Sequence, residues 1–161
     1  MNSQANTSKF LIFLDFDGVL HPTSASEHEK FKPEAIHSVN YILDELEANV
    51  VLSTAWRMDF GIEKFNAWFK NRIINSTPVH ELHLQEKHPR FHEILDFLKN
   101  EKWLHVPWVA IDDKQTHFPF NCPAYITDGK VGITEKDAEN IILIGNSMKF
   151  AQKSLLEHIV F

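Results

Sequence analysis

The chain opens polar and then turns abruptly apolar: residues Phe10–Phe16 run Phe-Leu-Ile-Phe-Leu-Asp-Phe. A short continuous apolar run closed by Gly18 predicts a strand buried on both faces. Residues 21–33 are polar, include Pro22 and Pro33, and predict a loop. Pro33 suits the first turn of a helix. Ile36, Val39, Tyr41, Ile42, Leu43 and Leu46 give that helix a broad apolar face, and Asn49 is expected to end it. Val50–Leu52 predicts a second short strand, closed by Ser53 and Thr54. Ile62, Phe65, Trp68 and Phe69 are spaced for a further helix. Ile73 and Ile74 predict a brief strand. Residues 75–90, with three His and two Pro, predict a polar loop. Phe91, Ile94, Leu95 and Leu98 mark another helix, and Trp108–Ile111 another buried strand that ends in Asp112-Asp113. Ala124–Ile126 predicts a last strand before the turn at Asp128-Gly129. Thr134 predicts the cap of a helix that opens Glu135-Lys-Asp137, and Met148–Ile159 is also helical in pattern.

Strands that alternate with helices predict an α/β fold, with a parallel sheet covered on both faces. A chain of 161 residues favours one domain, expected over 10–161, with residues 1–9 as a frayed polar tail. That tail lacks the apolar core of a signal peptide, and no run approaches the roughly 20 apolar residues of a membrane helix. The expected location is therefore cytoplasmic, without a membrane partner. The net charge of −6 argues against general attraction to nucleic acid or an acidic membrane surface. Cys122 is the single cysteine. It excludes an internal disulfide and is expected to be a buried small hydrophobe.

Chemistry is expected at the carboxyl ends of the strands, where open parallel sheets bind ligands. The first strand places Asp15 and Asp17 there, the second Ser53 and Thr54, and the third long one Asp112 and Asp113. Four clustered carboxylates repel one another and call for a cation. Their hard oxygens favour Mg²⁺ over zinc. Two acids two residues apart can divide phosphoryl chemistry. One attacks phosphorus, while the other protonates the leaving oxygen and later activates water. Gly18 lets the chain turn sharply beside them.

Asp15-Phe-Asp-Gly-Val-Leu20 resembles the first motif of the haloacid dehalogenase (HAD) superfamily, Asp-x-Asp-Gly after an apolar strand. Val50–Ser53 resembles the second motif and Ala110–Asp113 the fourth, in the same order along roughly residues 10–135. The resemblance implies a three-layer α/β/α Rossmann-like HAD fold with little or no cap domain. It also implies roles: Asp15 as nucleophile and metal ligand, and Asp17 as general acid/base with its backbone carbonyl on the metal. Ser53 would bind the phosphoryl group, with Thr54 beside it, and Asp112 and Asp113 would hold Mg²⁺. The second Asp of the first motif favours a phosphatase over a dehalogenase. The third motif needs a cation, usually Lys; Lys87 and Arg90 are the candidates, with Arg90 at the expected helix start.

A closer resemblance joins Leu14–Pro22, Leu52–Arg57, Arg90–Ile94, Asp112-Asp113 and Gly132–Thr134. These segments are similar to the small bacterial HAD subgroup associated with Swiss Army Knife RNA repair proteins. The function implied is a Mg²⁺-dependent phosphomonoesterase with an aspartyl-phosphate intermediate. Its substrate would be a phosphorylated small molecule, a nucleotide or a nucleic-acid end. The alternatives are a receiver-like signalling module and a non-catalytic phosphate-binding protein. Trp56 is open to two readings, stacking on a base or packing under the loop. Arg57 would bind a second phosphate or pair with Asp59. His21 sits just past the catalytic turn, either near the leaving group or solvated. His80, His83 and His88 lack zinc-helix spacing and are expected in a polar loop.

Overall fold

A computed structural model describes residues 9–24, 31–80 and 87–159, with side chains to residue 155. Most of the expected tail, the middle of the 21–33 loop and His83 lie outside the described residues.

Eight main elements follow one another: β1 (Leu11–Leu14), α1 (Pro33–Leu46), β2 (Asn49–Leu52), β3 (Ile73–Ser76), α2 (Pro89–Glu101), β4 (Trp108–Asp112), β5 (Ala124–Ile126) and α3 (Glu135–Ile159). The five strands form one parallel sheet in the order β3-β2-β1-β4-β5. β1 therefore lies at the centre, which is why its sequence is apolar without interruption. Side chains alternate between the two faces of a strand. Phe10, Ile12 and Leu14 pack with Val50, Leu52, Val109 and Ile111 against residues of α1 and α3. Leu11 and Phe13 pack with Val51 and Ala110 against Ile94, Phe97 and Leu98 of α2. Three layers result, with α1 and α3 on one side of the sheet and α2 on the other. This is the expected α/β/α HAD-like architecture.

Several expected boundaries move. Residues 62–69 do not form a helix; they form two short 3₁₀ turns, Ile62–Lys64 and Asn66–Phe69, after a similar turn at Ala55–Met58. The spacing of Ile62, Phe65 and Trp68 is three residues, which also matches the 3₁₀ period. Lys70 and Asn71 adopt positive φ and end the run. Asn49 starts β2 instead of ending α1, because Glu47 already turns left-handed and closes α1 onto Leu43 and Asp44. β3 extends to Ser76, and α2 already begins at Pro89. The two expected C-terminal helical stretches are one helix, α3. At its start Asp137 N–H donates to Thr134 Oγ1 (3.2 Å), and Thr134 N–H donates back to Asp137 Oδ2 (2.9 Å). This reciprocal cap is worth about 1 kcal/mol. The described residues after β1, and those between β2 and α2, form turns and the edge strand β3 with no separate cap layer. No helix among the described residues is long and apolar enough to cross a membrane.

Candidate active site

The register of three strands aligns the site. Leu14 of β1 is level with Leu52 of β2 and with Ile111 of β4. The residues that follow are Asp15, Ser53 and Asp112, so they stand in a row across the sheet edge. The ladder holds them there, since Ser53 N–H donates to the Leu14 carbonyl (2.9 Å) and Asp15 N–H to that of Ile111 (3.0 Å). In-register neighbours point to the same face, and adjacent strands lie about 4.8 Å apart. All three side chains are buried.

Asp15, Asp112 and Asp113 each offer a carboxylate oxygen, and these atoms lie within 4.8 Å of one another. It is the one such cluster of metal-ligating groups among the described residues. Burial, and then the neighbouring Asp112 charge, push the Asp15 carboxyl well above the ordinary carboxylate range. Burial also raises Asp113. Three crowded oxygens of hard donor type, two of them disfavoured as free anions, fit a divalent cation of the Mg²⁺ or Ca²⁺ type. The surroundings orient the acids. Asp15 Oδ1 accepts from Phe16 N–H (2.8 Å), Asp112 Oδ1 from Lys114 N–H (2.9 Å) and Asp113 Oδ2 from Thr23 Oγ1 (2.9 Å). His117 Nδ1 lies 3.2 Å from Asp112 Oδ2. Gly18 has φ +77°, and a Cβ there would collide with the Asp113 carboxylate.

Ser53 Oγ is buried and has no hydrogen-bond partner among the described residues. Buried hydroxyls are rarely left so. Thr54, next along, is turned inward; its hydroxyl caps the 3₁₀ turn by accepting Trp56 N–H at 3.3 Å.

Arg90 occupies the first turn of α2. Its positive charge acts on Asp15 and opposes the upward shift caused by burial. Arg90 Nη1 donates to Glu93 Oε1 at 3.1 Å, and Arg57 Nη2 donates to Glu93 Oε2 at 2.7 Å. Arg57 also donates to the carbonyls of Thr54, Thr77 and Pro78. Glu93 thus bridges two guanidinium groups, and His80 N–H adds a third donor at 3.3 Å. Lys87 faces elsewhere, lining a surface depression with His80, His92 and Asp96.

Asp17 is 45% exposed at its side chain. His21 Nε2 lies 3.0 Å from Asp17 Oδ1, outside hydrogen-bonding geometry, and the imidazole itself is buried. The Trp56 indole N–H reaches both Asp17 oxygens, at 3.1 and 3.3 Å. The turn that bears Asp17 is stitched to the segment after β5. Thr127 Oγ1 donates to the Gly18 carbonyl (2.8 Å) and Ile133 N–H to that of Val19 (2.8 Å).

The family model for the HAD domain in Swiss Army Knife RNA repair proteins matches residues 11–138. The chain belongs to this HAD family. The match spans every residue of the site above. No curated protein matches the chain.

Within this HAD domain the structure brings Asp15, Ser53, Arg90, Asp112 and Asp113 together. It sets Lys87 apart from them. The Arg57 side chain is 3% exposed and is held by Glu93, not Asp59, and by backbone carbonyls. Thr54 is likewise committed to the backbone. Trp56 packs among aromatic rings instead of presenting a free face, and His21 is buried, not solvated. His80 pairs with Asp96 at 2.6 Å. Cys122 is half-buried, and burial raises its thiol, which keeps it protonated. Glu93 is a site residue that the sequence reading missed. Its signal was present, as an acid three residues after Arg90 on the same helical face as Ile94 and Phe97.

Proposed function

We propose that this HAD domain is a Mg²⁺-dependent phosphomonoesterase that works through an aspartyl-phosphate on Asp15. The observation that carries the reading is the alignment of Asp15 with the unpartnered Ser53 hydroxyl and the Asp112-Asp113 pair across one sheet edge. Asp15 attacks phosphorus with a carboxylate oxygen, and the bond to the leaving oxygen breaks. Asp17 gives its proton to that oxygen. In the second half Asp17 takes a proton from water, water attacks phosphorus, and the Asp15 carboxylate is released. Ser53 Oγ donates to a phosphoryl oxygen, and Arg90 offsets the negative charge between phosphate and nucleophile. Asp15, Asp112, Asp113 and the Asp17 carbonyl would hold Mg²⁺, which when bound lowers the repulsion between two anions.

The proposed substrates are phosphomonoesters at a nucleic-acid end or on a nucleotide. The family name supports this choice, as does the lack of a cap layer among the described residues. The test is phosphate release from terminally phosphorylated oligonucleotides, mononucleotides and sugar phosphates, with Mg²⁺ or EDTA. Wild type is expected to turn over repeatedly with Mg²⁺ alone, and Asp15→Asn to be inactive. Full turnover by Asp15→Asn, or by metal-stripped protein, would overturn the mechanism.

A further inference from the structure

Asp17 stands on an exposed turn, where a carboxylate ordinarily samples several rotamers. Here two groups restrain it. The Trp56 N–H spans both oxygens, and His21 lies against Oδ1. The indole is itself immobilised. Phe16, His21, Phe31, Phe60 and Phe65 surround it at ring separations of 5.4–6.1 Å. Its backbone is fixed as well, because Trp56 N–H donates to Thr54 Oγ1 and the Trp56 carbonyl accepts from Asp59 and Phe60. Trp56 lies three residues beyond Ser53. The segment that begins at the Ser53 hydroxyl therefore also grips the acid.

We propose that Trp56 is a positioning residue for Asp17, and this rests on the phosphatase reading. Its N–H aims the carboxyl group at the leaving oxygen and stabilises the carboxylate that remains once the proton has gone. During the first step the Asp15–phosphorus bond forms and the phosphorus–leaving-oxygen bond breaks. The proton passes from Asp17 to the departing oxygen. Asp17 is left anionic, and an indole donor favours that state without contributing a proton of its own. In the second step the same donor holds Asp17 while it accepts a proton from water.

Leaving-group dependence separates this role from mere support of the fold. An acidic phenol departs with little help, whereas a poor leaving group needs the proton. Trp56→Phe keeps an aromatic ring and deletes the N–H. The kcat/KM for para-nitrophenyl phosphate and for phenyl phosphate is measured with Mg²⁺ for wild type, Trp56→Phe and Asp17→Asn. The phenyl ester is expected to lose about tenfold more than the nitrophenyl ester in Trp56→Phe, a fraction of the range general acids supply. The same skew, larger, is expected in Asp17→Asn. If Trp56→Phe does not fold, 3-benzothienylalanine at position 56 preserves the ring shape without the N–H. Equal losses on both esters, or none, with the Asp17→Asn skew intact, overturn the positioning role and leave the phosphatase reading standing. Wild type inert toward both esters, or Asp17→Asn as active as wild type, overturns both.

Discussion

Glu93 Oε2 accepts a hydrogen bond from Arg57 Nη2 at 2.7 Å, with both side chains only 3% exposed. Removing one member of such a pair strands the other without compensation. Glu93→Ala is therefore expected to lower stability by about 3–5 kcal/mol. Urea denaturation measures this. The variant should also lose activity beyond its unfolded fraction, because Arg90 loses its anchor. A stability change under about 1 kcal/mol would mean that water already screens the pair.

Ser53 predicts the opposite balance. Its hydroxyl is buried without a partner, and an unsatisfied buried hydroxyl costs about 1–3 kcal/mol. Ser53→Ala should leave the melting temperature unchanged or raise it. Phosphate release should fall by roughly 10²–10³-fold, the usual loss of one donor to a developing charge. Activity near wild type would remove Ser53 from the phosphoryl site.

Arg90 and Lys87 are separated by a direct comparison. Arg90→Ala is expected to reduce turnover by about 100-fold, because its charge acts on Asp15. Lys87→Ala should stay within about twofold, as for a distant surface substitution. Steady-state kinetics on one phosphomonoester decide it, and the reverse order would reassign the cation.

The raised Asp15 and Asp113 carboxyls make a statement about pH. Both lie above the ordinary value of 3.8, mainly through burial. Between that value and the raised ones the folded chain holds more protons than the unfolded chain. The contribution is complete in acid and is lost as pH rises through the folded values. Cation-free protein should therefore lose stability, relative to Asp15→Asn, as pH rises from the ordinary carboxylate value through the raised folded values, and Mg²⁺ should restore it. Thermal melts in EDTA and in Mg²⁺ test this, and parallel curves for the two proteins would contradict it.

Much of the site was legible in the sequence because β1 is central. A strand buried on both faces leaves an unbroken apolar run, so the acids that end it stand out. Asp112-Asp113 and Ser53 were visible for the same reason. Glu93 was not, because its partners Arg57 and Arg90 come from separate segments that only packing unites. Arg57 and Thr54 were singled out through their closeness to Ser53 in the chain. Burial turned both toward the backbone. Residues 62–69 resisted because a three-residue apolar spacing serves a 3₁₀ turn as well as a helix.

The bonds from Thr127 to Gly18 and from Ile133 to Val19 cross from the edge of the sheet to the turn after its central strand. Such ties make separate stretches open and close as one cooperative unit. Native-state amide exchange should therefore find Ile133, whose N–H donates into that turn, and Leu20, which bonds within it to Phe16, sharing one opening free energy. The acid-bearing turn is no independent loop. It is expected to open together with the chain that follows β5.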